Sequence, residues 1–503
     1  MSIERPASEE PRSSLLARPM TRRGLFGRVG TGLYGAALAW LLERDLHGGT
    51  GFLGSSPEPL TSQSRAFDLV NRPAHFEPKA RAVIHLFMNG GPSQMDLFDP
   101  KPELERRHGQ PYFDKIAGEV EFPDAAGALL RSPFQFAQHG QSGMWISDAM
   151  PSLARCVDDI ALIRSMYTEN LTHELALFQM HSGRTLPGLP SLGAWITYGL
   201  GSENQNLPAY VVLDDPLGLP INRTQNWQAG FLPPVFQGTR FRSTGLPVLN
   251  LKRNYGEPDE VTLMERELVS ALDRIHRAGR PGQPQLDARI ASYELAARMQ
   301  LAASDAADLT QECTETLALY GIGDPKTDSY GRRCLIARRL VERGVRFVQL
   351  FIDNQILDNH SEIGKTLRGA CERTDRPSSG LLQDLKRLGL FESVLVVWGG
   401  EMGRLPLAQL PADKDERKAG RDHNKNAVCT WLAGAGIKGG TVWGATDDLG
   451  FAGVENRVSV GDWHATILHL LGLHHEELYF ERNGLKERLT GVLEPQVVHG
   501  ILA

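Results

Sequence analysis

The sequence predicts an α/β fold with a mainly parallel sheet, on three observations. Short apolar runs rich in β-branched residues, at 82–88, 345–352 and 393–398, lack polar alternation and read as strands covered on both faces. Between the strand candidates lie stretches with apolar residues at three- and four-residue spacing, the period of helices laid on a sheet. The strand candidates run into loops that carry Gly, Asn, Asp or His, and open α/β sheets collect ligands at those ends.

The elements follow in order. Residues 82–88, AVIHLFM, lead into Asn89-Gly90-Gly91-Pro92-Ser93, with Asp96 close behind. A strand over 158–165 precedes Thr172-His173 and a helix over 174–180, and 190–199 reads as a second helix. A further strand spans 210–213. The segments 260–277 and 285–309 are amphipathic and form a helical insertion placed at about 255–330. A helix over 329–342 feeds the strand 345–352, which leads to Asp353 and His360. Pro377-Ser378-Ser379 reads as the start of a helix whose Leu381, Leu382, Leu385 and Leu388 make one stripe, stopped at Gly389. The strand 393–398 then ends in Gly399-Gly400 and presents Glu401 and Arg404. A strand over 428–432 and a helix over 462–471 close the chain.

Bulk properties narrow the function. At 503 residues the chain has room for roughly two to four units of ~150 residues. A formal charge of −6 offers no basic face for nucleic acid. The cysteines Cys156, Cys313, Cys334, Cys371 and Cys429 are widely spaced, which fits neither a disulfide framework nor a zinc ribbon. Near the amino terminus, Arg22-Arg23-Gly24-Leu25-Phe26 precedes an uncharged run over 29–42. That run is too short for a bilayer span and suits a signal core. Residues 1–45 therefore read as a twin-arginine-type signal and 46–78 as a linker to a domain over 79–503. The expected location is periplasmic or extracellular, with membrane contact only through an uncleaved signal.

The polar residues at the strand exits are the candidate site: Ser93 and Asp96; Thr172 and His173; Asp353 and His360; Glu401 and Arg404; Asp422 and His423. Carboxylates beside imidazoles are what a divalent metal requires, and Zn, Ca, Mg and Mn all remain open. Such an ion polarises a phosphoryl or sulfuryl oxygen or acidifies a water. Arg404 or Arg421 would hold a tetrahedral oxyanion.

The motifs HLFMNGGPSQMDLFDPKPEL, PSLGAWITYGLGSENQNLP, VVWGGEMGRLP, GRDHN, AGIKGG and DWHATILHLLGL resemble an exported bacterial "sulfatase-like" family of unknown function. That family is grouped with the alkaline phosphatase-like superfamily. The resemblance implies an alkaline-phosphatase-like α/β/α sandwich from about residue 80 onward, and it carries departures. Where sulfatases end the first strand in paired aspartates, this chain has Met88-Asn89-Gly90-Gly91. Taking Ser182-Gly183-Arg184 as the equivalent of their T-G-R puts His173 in the nucleophile slot, and no C/S-x-P-x-R run exists. The late Asp-His metal pair stands as Glu401-Met402, while His423 resembles the final metal histidine. Gln355 replaces a histidine usual in the family, and Asn359-His360 keeps the motif that follows it.

Two functions follow. In the first, the protein is an exported hydrolase of phosphate or sulfate esters, acting on an anionic small molecule or a sulfated or phosphorylated polymer. Asp353, Glu401 and His423, with His360, Asp422 and Asp96, supply the metal ligands. Thr172, Ser93 or a water attacks, His173 serves as base or ligand, and Arg404 binds the oxyanion. In the second, a catalytically inactive binding or assembly protein uses the same fold, as the changes at Asn89, Met402 and Gln355 suggest.

Overall fold

The computed structural model describes residues 68–245, 247–248, 259–280 and 283–503. The expected signal and most of the expected linker lie outside them. The chain falls into two units, one of 1–61 with 254–281 and one of 62–253 with 282–503. In the first, the described element is helix α3 (Asp259–Ala278).

The second unit is built on a nine-stranded sheet. In chain order its strands are β1 (Ala82–Phe87), β2 (Ile160–Tyr167), β3 (Tyr210–Leu213), β4 (Thr239–Phe241), β5 (Phe347–Phe351), β6 (Val394–Gly399), β7 (Val428–Ala433), β8 (Thr441–Trp443) and β9 (Val458–Ser459). They lie in the order β8-β2-β7-β6-β1-β5-β3-β4, with β9 also on β2. Only β7 runs against its neighbours β2 and β6; every other pairing is parallel. The fold class is therefore the α/β class with a mainly parallel sheet that the apolar runs predict.

β1, β5 and β6 are buried along their whole lengths, as unalternating strands at the centre of a covered sheet must be. Trp398 of β6 stands opposite Trp431 of β7 and stacks on it, ring centroids 5.9 Å apart. Such a cross-strand aromatic pair contributes about 1 kcal/mol beyond its burial.

The longer helices packed in this unit are α1 (His173–Ser182), α2 (Leu192–Leu200), α4 (Pro284–Ala307), α5 (Asp328–Glu342), α6 (Ile363–Arg387) and α7 (Val460–Leu470). α4 buries Leu295, Met299, Ala303 and Ala306 in the main core. α6 corrects one expectation: the helix does not start at Pro377 but runs through it. An internal proline forfeits a backbone hydrogen bond and costs about 3 kcal/mol. The buried face nevertheless continues across it from Ile363, Leu367 and Ala370 to Leu381, Leu382 and Leu385. The Asp375 carboxylate also anchors that turn by accepting from the backbone N–H groups of Ser152 and Leu153 at 2.6 and 2.7 Å. Among the described residues no helix is long and apolar enough to cross a membrane.

Candidate metal centre

The exits of β1, β5 and β6 are adjacent, and the loops that leave them form one site. After β1 the chain turns through Gly90, whose φ of +103° favours glycine. A Cβ there would lie 2.4 Å from the backbone nitrogen of Asp358, so only glycine lets the loop after β5 come this close. The Gly90 N–H donates to Glu401 Oε1 at 2.8 Å, and the Leu357 N–H donates to the Asn89 carbonyl at 3.0 Å. These bonds seat Asp358 over the end of β1.

Three imidazoles converge on that carboxylate. His173 Nε2 is 3.4 Å from Asp358 Oδ2, while His360 Nε2 and His423 Nε2 are 2.8 and 3.1 Å from Oδ1. The opposite ring nitrogens are all tied to oxygens. His173 Nδ1 donates to Glu401 Oε1 at 2.8 Å, His423 Nδ1 to Glu121, and His360 Nδ1 to the Gln409 side-chain oxygen. An oxygen acceptor on Nδ1 keeps the proton there and turns the Nε2 lone pair inward, which is how metal-ligating histidines are oriented. One donor atom from each of His173, Asp358, His360 and His423 lies within 4.8 Å of the other three. Glu121 and Asp422 make a second such group with His423.

Different elements deliver these groups. His173 is the first residue of α1. His423 lies in a two-stranded ladder opposite Arg404. Asp358 and His360 ride on the loop between β5 and α6, which holds Asp353, Gln355 and Glu362 at positive φ. Left-handed backbone at non-glycine residues costs of order 1–3 kcal/mol each and persists only where the surroundings impose it.

The electrostatics follow from the contacts. Burial disfavours the charged form of His173, yet its bonds to Asp358 and Glu401 prevail and raise its pKa to about 9. Burial likewise works against ionised Asp358, but the hydrogen bonds from His173, His360 and His423 and the charge of Arg404 hold it far below the usual carboxylate range. Glu121 is lowered in the same way by His423, against its burial. The pocket thus stabilises positive charge among its nitrogens, the role a divalent cation would fill. Three imidazoles and one carboxylate suit zinc or a similar transition metal, whereas calcium and magnesium prefer oxygen shells.

The structure brings His173, His360 and His423 together and corrects several other expected roles. Asp353 lies apart, its carboxylate 3.1 Å from Arg373 and its carbonyl accepting from Asn89 at 2.7 Å. Asp358, five residues later, is the carboxylate at the centre, and the sequence reading passed over it although it adjoins the Asn359-His360 motif. Glu401 is completely buried and orients His173 rather than joining the cluster of donor atoms. Asp422 is not overturned: it stays in the second group with Glu121 and His423, and it also accepts from the Phe122 and His423 N–H groups at 2.9 and 2.7 Å, which pins the 121–122 loop beside His423.

Asp96 is bound to Arg421 at 2.7 Å, and Ser93 donates to Asp96 at 2.5 Å, so neither faces the centre as ligand or nucleophile. Arg404 is also buried, and its guanidinium donates to Asp358 Oδ1 at 2.7 Å and to the carbonyls of Gly90, Gly91, Leu357 and Arg421. It is a clamp on the loops, fully buried and so out of reach of a substrate oxyanion. Thr172 Oγ1, half-buried at the start of α1, donates to Asn170 Oδ1 at 2.9 Å. Glu121 and Gln409 carried no sequence signal, because Glu121 lies in a loop and Gln409 ends a three-residue strand, Leu407–Gln409, too short to show a period.

Comparison with known proteins places the chain. Residues 80–502 match the family described as "Protein of unknown function (DUF1501)". The chain belongs to that family. No curated protein matches it. Among solved structures it is similar to the lipoteichoic acid synthase LtaP from Listeria monocytogenes (10% identity, 85% of this chain and 79% of that one, TM-score 0.36). It is also similar to the PsFucS1 sulfatase from Pseudoalteromonas sp. (11% identity, 79% and 69% coverage, TM-score 0.33). A mutant of TAB5 alkaline phosphatase matches at 11% identity over 79% of this chain and 99% of that one, with a TM-score of 0.30.

Proposed function

We propose that the protein is an exported, metal-assisted hydrolase of phosphate or sulfate esters. The observation that carries the metal is the convergence of three Nε2 atoms on Asp358 while each Nδ1 is held by its own oxygen acceptor. His173, Asp358, His360 and His423 would hold the ion. It would supply a Lewis acid for a phosphoryl or sulfuryl oxygen and lower the pKa of a water.

The chain's own residues define the rest. Glu401 and Glu121 fix the tautomers and ring orientations of His173 and His423. Arg404 neutralises part of the Asp358 charge and locks the loop that bears it. Phe122, 42% exposed, stands edge-on to His360 and His423 and forms an apolar rim beside an otherwise polar mouth. Thr172 has an amide oxygen rather than a base against its hydroxyl, and a hydroxyl without a base is a weak nucleophile. Ser93 is buried against Asp96. Water is therefore the attacking group that fits.

A second reading has its own support. Four protein donors already complete a tetrahedral shell, the closed arrangement typical of structural rather than catalytic zinc. In that case the centre is a structural cross-link in a binding or assembly protein. A panel of aryl phosphate, phosphodiester and sulfate esters, tested on metal-loaded protein and on Asp358→Asn, separates the two. Turnover in the parent that vanishes in the variant supports the hydrolase; a metal-replete parent inert on every ester supports the structural reading.

A further inference from the structure

A hydrolase of anionic esters needs a cation for the charged end of its substrate, and the centre itself has none to spare. Asp358, Glu401, Glu121 and Asp422 bring four carboxylates. A divalent ion and the Arg404 guanidinium offset three of these charges and leave one uncompensated. Arg421 is spent on Asp96, Lys425 on Glu119 at 3.0 Å, and Arg373 on Asp353 and Asp215. An arriving dianion would meet net repulsion.

One arginine close to the centre is uncommitted. Arg223 is exposed, and no hydrogen bond or ion pair ties its guanidinium among the described residues. It opens a short turn, Arg223–Trp227, that packs against α1, the helix that begins at His173. The preceding Asn222 donates from its side chain to the Glu174 carbonyl at 2.7 Å, in the first turn of that helix. Earlier in the same loop, Gly218 lies against Asn354; a Cβ there would be 3.2 Å from the Asn354 Cβ. The 215–223 loop therefore touches two of the three elements that carry the candidate ligands, α1 and the segment after β5. Asn222 and Arg223 hold left-handed φ of 67° and 46° in succession. For a long side chain that conformation is unfavourable. The loop bears this strain with a free guanidinium on the residue after its anchor.

The geometry points to Arg223 as the residue that recognises the anionic group of the substrate at this centre. The inference rests on the hydrolase reading and deepens it: the substrate carries a phosphate- or sulfate-type oxyanion, which a guanidinium binds through paired hydrogen bonds.

Calorimetric titration with inorganic phosphate and with sulfate tests this on the full chain, with the metal content of each sample measured in parallel. Arg223→Ala should weaken binding about tenfold at unchanged metal content, and Arg223→Lys should recover part of the loss. Arg223→Glu should abolish binding. Unchanged affinity in Arg223→Ala, or no binding of either anion by the parent at about 10 mM, overturns the inference. A parent without metal that still shows Arg223-dependent anion binding upholds it while removing the metal-assisted hydrolase reading, so the two fail separately.

Discussion

Two groups of three histidines share this fold, and their surroundings give them opposite chemistry. His173, His360 and His423 surround Asp358, with Glu401 and Glu121 behind them. His85 of β1, His181 at the end of α1 and His464 of α7 form the other group, all buried. This second group has no carboxylate. His464 Nε2 donates to the Met180 carbonyl at 2.9 Å, His181 Nδ1 pairs with the Gln349 side chain at 3.1 Å, and Phe87 and Trp463 fill the surroundings. α1 joins the groups, with His173 at its first residue and His181 near its last. Carboxylate partners raise His173 to about 9. Burial, with the charge of His464 as a minor contribution, lowers His85 to about 3; burial also takes His464 to about 4 despite its backbone bond, and His181 well below its usual value. Carboxylates placed behind an imidazole thus favour its charge and orient its free nitrogen, whereas without them it is a neutral packing group.

Substitutions can break this contrast. The largest effect is expected for Asp358→Ala, which removes the one acidic group all three inward nitrogens share. Bound metal should fall below about a tenth of an equivalent, with any ester turnover lost, while circular dichroism stays native. Next is the acid response of the buried group. In the unfolded chain these imidazoles take up protons near pH 6.5, whereas folded they resist. Stability present above pH 6.5 should be lost as pH falls towards 4 and then 3, by about 1.4 kcal/mol per pH unit for each imidazole. Denaturant melts from pH 7 to 4 would show this slope, and His85→Leu should flatten it.

A smaller effect is expected for Glu401→Gln, which keeps an acceptor but loses its charge; metal affinity should drop about 10–100-fold with the fold retained. The smallest has the opposite pH sign. In metal-free protein the charged His173 adds stability that is complete below pH 6.5 and lost as pH rises through about 9. Melts of metal-free protein from pH 6 to 10 should show that loss. An alkaline loss that persists in His173→Gln would exclude His173 as its source.

Much of this was legible in the residues. Runs such as AVIHLF and VLVVWG have no polar face, so the central parallel strands followed directly. The edge pieces Thr239–Phe241 and Val458–Ser459 are too short to carry a period, and they passed unseen. Pro377 misled because a helix break is a local rule, whereas the apolar face that keeps α6 intact is a tertiary effect. In the site, the histidines stood out as imidazoles after strands. Asp353 drew attention from Asp358 because it follows its strand immediately, and only the fold shows that the loop carries the later carboxylate back over β1. Arg404 looked like an oxyanion clamp because sequence does not report that its guanidinium is buried among the loops.

On the proposed reading, three imidazole Nε2 atoms and Asp358 enclose one transition-metal ion. X-ray absorption at the metal edge, on protein loaded to stoichiometry with zinc or manganese, tests it most directly. One ion per chain is expected, with imidazole scattering from three rings and one oxygen, at about 2.0–2.2 Å for zinc. A shell of oxygens alone, or a chain that takes up neither metal, would contradict it.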